Sequence, residues 1–192
     1  MNRETWLKEL SKNLSPIFGE HSHTIPENIR FSCGFTSRGI RSNCIGEVWD
    51  QEASDDNNYE IFIHPKLIEP TQIAATLVHE LVHVVVGVKE KHNKVFKKLA
   101  TKVGLEGKMT ATFAGLDLTD KLKKVLESME KYPHAKLKGS LQVKKERGKN
   151  SFKVVCGKCD FTAKVGKKHI DLELPTHCGE SMTLDELEDL GD

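Results

Sequence analysis

No apolar stretch in this 192-residue chain approaches the roughly 20 residues needed to cross a bilayer. A run such as Val84-Val85-Val86 is closed at once by Gly87. The chain is therefore not expected to span a membrane. The opening segment mixes Arg3, Glu4, Lys8 and Glu9 with its apolar residues and lacks the apolar core of a secretory signal, so a cytoplasmic location is expected. There is no internal repeat. Cysteine is too sparse, and its number of five too odd, for a disulfide framework in such a location. Cys33 and Cys44 stand apart and are expected to be reduced, partly buried thiols.

Net charge is almost absent as well, at +1, but that balance hides an asymmetry. Residues 131–168 hold twelve Lys or Arg against Glu146 and Asp160, a net of +10, whereas residues 171–192 hold eight acids and no Lys or Arg. A composition of 38% hydrophobic and 30% charged residues excludes a fibrous or disordered chain and fits a globular one. The length suits one core of ordinary size plus a small second module.

Trp6, Leu7, Leu10 and Leu14 recur at helical spacing, and Pro16 is expected to stop that helix. Ile29 to Phe35, Cys44 to Trp49 and Tyr59 to Ile63 have strand character, which predicts a small, mainly antiparallel sheet. The polar stretches between them, 36–43 and 55–58, read as hairpin loops. Thr71 is the expected N-cap of a helix that is apolar around much of its circumference until Gly87, and such a helix is buried. Further helices are predicted from Asn93 to Val103 and from Leu118 to Met129. After Pro133 the chain turns to Gly, Lys and short β-prone runs, so a boundary is expected near 135–148. The fold class expected is α+β.

On the buried helix, His79-Glu80-Leu81-Val82-His83 forms an HExxH pattern. Two histidines four apart lie one turn above each other, about 6 Å along the axis, and can reach one ion. Zinc takes imidazole nitrogen readily, and Glu80, about 60° around the helix from His83, can reach a water there as general base. That is the arrangement of metal-assisted hydrolysis. Burying Glu80 in an apolar helix without such a role would be costly. His92, Glu90, His64, His21 and His23 are candidates for a third ligand, and His92 is preferred because Gly87 lets the chain turn back over the ion. The metzincin spacing does not fit, since His92 follows His83 by nine residues.

The HExxH pattern followed by His92-Asn93-Lys94-Val95-Phe96 resembles the SprT-like (Spartan-type) metallopeptidases. Gly104 to Thr112 and Tyr132-Pro133-His134-Ala135 are similar to segments of bacterial and phage members, so the resemblance covers most of the chain. Asn93 stands where the family frequently has glycine, a mild departure, since asparagine is the other residue that tolerates unusual backbone angles. The resemblance implies a zincin-like domain over residues 1–135, a catalytic zinc on His79, His83 and His92, Glu80 as catalytic base, and DNA-bound proteins as substrates. His134 is a further candidate, to polarise a substrate carbonyl.

Residues 136–192 are expected to form a basic linker and a zinc β-ribbon with an acidic tail from Asp185 onward. Cys156-x-x-Cys159 and His177-Cys178 supply four soft ligands for a structural zinc, with His169 the alternative to His177. A redox CxxC belongs near a βαβ pattern, which is missing here. The basic strip, with Tyr132, Phe152 and Phe161 interleaved, predicts nucleic-acid contact through 131–168 and, with it, nucleoid association. A zinc peptidase is the expected activity. The alternative is a nucleic-acid-binding protein that retains zinc but does not cleave.

Overall fold

The computed structural model describes residues 1–40, 42–137, 150–170 and 172–185. Lys138, Lys144, Lys145, Arg147 and Lys149 of the basic strip, and the acidic tail beyond Asp185, lie outside the described residues. The chain forms two compact units, Met1–Leu141 and Gln142–Asp192, of mixed α and β structure with small sheets.

The first unit begins with helix α1 (Arg3–Gly19), whose start is capped by the Asn2 side chain accepting from Thr5 N at 2.7 Å. Contrary to expectation, α1 runs through Pro16. An interior proline costs a helix roughly 3 kcal/mol, but continuing buries Ile17 and Phe18, each contributing about 1.5–3 kcal/mol. The two apolar side chains outweigh the lost hydrogen bond. Trp6 is fully buried and donates from Nε1 to Glu130 O at 2.7 Å, which joins the start of α1 to the segment after the last helix of the unit.

Three strands follow, β1 (Ile29–Cys33), β2 (Gly46–Trp49) and β3 (Tyr59–Ile63). Their order is β1-β3-β2. Only β2 and β3 are antiparallel; β1 pairs with β3 in parallel, from Ile29 opposite Tyr59 to Cys33 opposite Ile63. The sheet is thus mixed, and because β1 and β2 are not neighbours the connection between them is not a hairpin. The reason is burial: Ile61 and Ile63 are fully enclosed, so β3 takes the centre, where it has a neighbour on each side.

Helix α2 (Pro70–Val86) packs on α1, on β2 and β3, and on the later elements α3 (Lys94–Lys102), α4 (Leu116–Glu127) and β5 (Ala111–Ala114). Contacts on so many sides explain why its apolar residues do not keep to one stripe. Its N-cap is Glu69 rather than Thr71, because Pro70 takes the first helical position, where its missing N–H costs nothing. Gly87 ends α2 at φ 97°, a left-handed angle that glycine adopts without strain. Strand β4 (Leu105–Lys108) pairs with β5 as a tight hairpin that the sequence reading did not foresee.

In the second unit, β6 (Ser151–Val155) pairs with β7 (Thr162–Gly166) and with the short β10 (Thr183–Leu184). A single turn of helix, α5 (Lys167–Ile170), follows β7, and β8 (Thr176–His177) pairs with β9 (Glu180–Ser181). Its core is small: Val154, Cys156 and Met182, with Ala163, Val165 and Leu174 against them.

Candidate metal centre

The apolar sequence of α2 carries His79, Glu80 and His83 into the interior of the first unit; Glu80 and His83 are each only 6% exposed. His92 arrives from beyond the helix. After Gly87 a short 3-10 turn (Val88–Glu90) leads to Lys91, which holds φ 49°, and then to His92. Asn93 stops the turn by capping α3: its Oδ1 accepts from Val95 N at 2.8 Å and Phe96 N at 3.3 Å. The unusual backbone angle therefore falls on Lys91, and Asn93 itself is extended at φ −76°. Asparagine serves this position as a cap rather than through tolerance of a left-handed backbone.

These elements bring three imidazole nitrogens to one point. His92 Nε2 lies 3.2 Å from His79 Nε2 and 3.1 Å from His83 Nε2. Tetrahedral bonds of zinc to imidazole nitrogen place neighbouring nitrogens about 3.3 Å apart, close to these two separations, and all three ligand atoms lie within 4.8 Å of one another, so the donor set is compatible with such an ion. The fully buried Phe96 ring touches all three imidazoles, with centroids 5.0 Å from His79, 4.2 Å from His83 and 5.0 Å from His92. Burial keeps the rings neutral: it pulls His79 down to about 4, His83 down to about 3 and His92 also below its ordinary value, with neighbouring rings adding to the shift at His79 and His83. Neutral imidazole is the form that donates a lone pair to a metal.

Glu80 has no hydrogen-bond partner among the described residues and is pushed up to about 8, first by desolvation and then by the charge of Glu47. The wall beside it is backbone. A side-chain carbon at Gly46 would collide with Glu80 Oε1 and would come within 2.6 Å of Thr76 Cγ2, so only glycine lets β2 approach α2 this closely. Glu47 is held by Ser37, whose N and Oγ donate to its carboxylate at 2.7 and 2.5 Å.

The remaining candidates lie outside the histidine group. Glu90 accepts from Asn93 Nδ2 at 2.5 Å, and His64 is buried against Phe35 with its Nδ1 accepting from Lys66 N at 3.1 Å. His21 and His23 are not part of the histidine group. His134 Nε2 faces Pro65 O at 2.8 Å, which requires it to donate, and so its Nδ1 accepts from Arg3 Nη1 at 3.3 Å. Both its nitrogens tie the chain together, which leaves neither for a substrate carbonyl. Sequence reading missed Thr112, whose Oγ1 lies 2.8 Å from His79 Nδ1. The alternation Thr110-Ala111-Thr112-Phe113 after Met109 was the available signal for a strand there.

The second unit gathers Cys156, Cys159, His177 and Cys178, with one ligand atom from each within 4.8 Å of all the others. Cys156 and Cys159 come from the turn between β6 and β7, His177 from the end of β8 and Cys178 from the turn between β8 and β9. Cys159 Sγ and Cys178 Sγ are 3.5 Å apart and each lies 3.3 Å from His177 Nδ1, a little inside the roughly 3.6–3.8 Å set by tetrahedral zinc. Adjacent residues reach one point because Cys178 takes φ 51°. His169 is not part of the group; it sits on α5 with its Cδ2 beside Gly166. The backbone N–H of Lys158, and next His177, pull Cys156 down to about 6, while sharing with Cys159 pushes Cys178 up to about 11. Each unit thus holds a group able to bind a metal ion, three histidines in the first and three cysteines with one histidine in the second. No helix among the described residues is long and apolar enough to cross a membrane. Comparison with protein-family models, curated proteins and solved structures finds no match for this chain.

Proposed function

We propose that the chain is a zinc-dependent endopeptidase with a zincin-like first unit, acting on proteins associated with DNA, and that its second unit is a zinc ribbon. The observation that carries this reading is the convergence of three neutral imidazoles beside a buried, partnerless carboxylate one residue along the same helix.

His79, His83 and His92 would hold the catalytic ion. Zinc in such a site supplies Lewis acidity, polarising a carbonyl oxygen and bringing the pKa of water to about 7. Glu80, buried one residue along from His79 and without a hydrogen-bond partner among the described residues, can take a proton from that water and later give it to the departing amine; the charge of a bound ion would offset the upward push that burial gives its pKa and keep it ionised as a base. Phe96 and the packed face of α2 shield the His83 ring from water. Contact with DNA is supported by the basic strip and by the outer face of the ribbon, where Lys153 and Lys164 stand directly opposite each other across β6 and β7. Like charges so placed disfavour the bare sheet and favour an anion; Lys153 already pairs with Asp185 at 2.7 Å.

The test is incubation with DNA-bound basic proteins, with and without chelator. Cleavage by the wild type and its loss in Glu80→Gln, at unchanged zinc content, are expected; undiminished cleavage by that variant sinks the proposal. The lysine pair also favours a second reading, a nucleic-acid-binding protein without peptidase activity. That reading gains if DNA is bound, zinc is present only in the ribbon, and nothing is cut.

A further inference from the structure

A metal site is as good as the hold on its ligands, and the three imidazoles are not held alike. Among the described residues, His83 Nδ1 is buried with no hydrogen-bond partner, and His92 makes its polar contacts through Nε2 alone. His79 differs. Its Nδ1 meets the Thr112 hydroxyl at 2.8 Å, across 33 residues of chain. A neutral imidazole has one N–H and one lone pair. If Nδ1 donates to the hydroxyl oxygen, the lone pair is left on Nε2, the atom that points at His92.

We infer that Thr112 is the positioning residue of the histidine group, its hydroxyl accepting the Nδ1 proton of His79 and so fixing both the tautomer and the plane of that ring. The inference rests on the reading that the group holds a metal. Three features of the hairpin support the role. Its register pairs Leu105 with Ala114, Glu106 with Phe113, Gly107 with Thr112 and Lys108 with Ala111, which turns Thr112 and Ala114 inward and leaves Ala111 and Phe113 exposed. A slip by one residue would offer His79 a methyl group or a phenyl ring, and neither accepts a proton. The base of the hairpin is fixed, with Leu105 buried and Gly115 N donating to Gly104 O at 2.9 Å. Threonine is also branched at Cβ, so its hydroxyl has few rotamers to choose from.

Partners of this kind typically change metal affinity about 10- to 100-fold. The full chain is titrated with cobalt: the thiolate band in the near ultraviolet reports the cysteine-rich group, and because both groups absorb in the visible, the visible intensity that rises without a matching rise of the thiolate band reports the histidine group. Thr112→Val keeps the shape and removes the acceptor; it is expected to weaken binding at the histidines by about 10- to 100-fold and to alter the visible spectrum, with the thiolate band unchanged. Thr112→Ser is expected to restore most of the affinity. Equal affinity and spectrum in wild type and Thr112→Val overturn the role of Thr112 while leaving the metal reading intact. If the wild type takes up no cobalt at the histidines, and His79→Ala changes nothing, the metal reading itself falls and the inference with it.

Discussion

Burying Glu80 carries an electrostatic cost that depends on pH, and the neighbouring histidines carry an opposite one. The Glu80 carboxyl sits at about 8 in the fold against 4.5 ordinarily, so its contribution to stability is complete below 4.5 and is lost as pH rises through about 8. For His79 and His83 the folded values of about 4 and about 3 lie below 6.5, so their contribution is complete above 6.5 and is lost as pH falls through about 4 and about 3. Two histidines outweigh one carboxylate between 4.5 and 6.5, which places the optimum of the metal-chelated protein near 6.5. Thermal melts with chelator should show Tm falling from about pH 6.5 to 8, and Glu80→Gln should flatten that limb and raise Tm at pH 8 by several degrees. An alkaline limb of the same slope in the variant would show that Glu80 is not the buried charge responsible.

At the scale of elements, the closest approach in the first unit is strand β2 against helix α2. Gly46→Ala puts a carbon where Glu80 Oε1 lies and within 2.6 Å of Thr76 Cγ2, so either the strand or the helix must shift, at a cost of about 1–3 kcal/mol. Gly34→Ala, whose added carbon meets only Phe62 Cδ1 at 3.7 Å, is the control and should leave Tm nearly unchanged. Comparable melting of the two variants would contradict the steric account. Elements with strong periodicity, such as α2, β3 and α3, could be read from sequence, as could the gathering of His79, His83 and His92, because spacing on a helix and a glycine that ends it are local matters. Partnerships were harder. That β1 lies parallel to β3, and that α1 survives Pro16, are decided by which side chains the rest of the fold can enclose. The four-residue strands of the hairpin give too short an alternation to stand out, and with them Thr112 was lost.

Across the whole molecule the two units differ in how much apolar core they possess. Among the described residues, the buried cluster of the first unit has twenty-five members and that of the second has three. A unit with so little to bury depends on other means of closure, and a metal at Cys156, Cys159, His177 and Cys178 would provide it. Chelation is therefore expected to abolish amide-exchange protection along β6 and β7 while protection along α2 persists; simultaneous loss in both would show that the first unit depends on metal for its fold as well. The strand order β1-β3-β2 has a consequence in time. The middle strand is the last of the three to be made, 30 residues behind its parallel partner, Ile29 to Tyr59. At ordinary translation rates that gap lasts on the order of a few seconds. For its last part, from Asp50 to Asn58, the nascent chain carries two finished strands that still lack the partner between them, so this stretch of synthesis is an interval in which the protein is open to sticking to its neighbours.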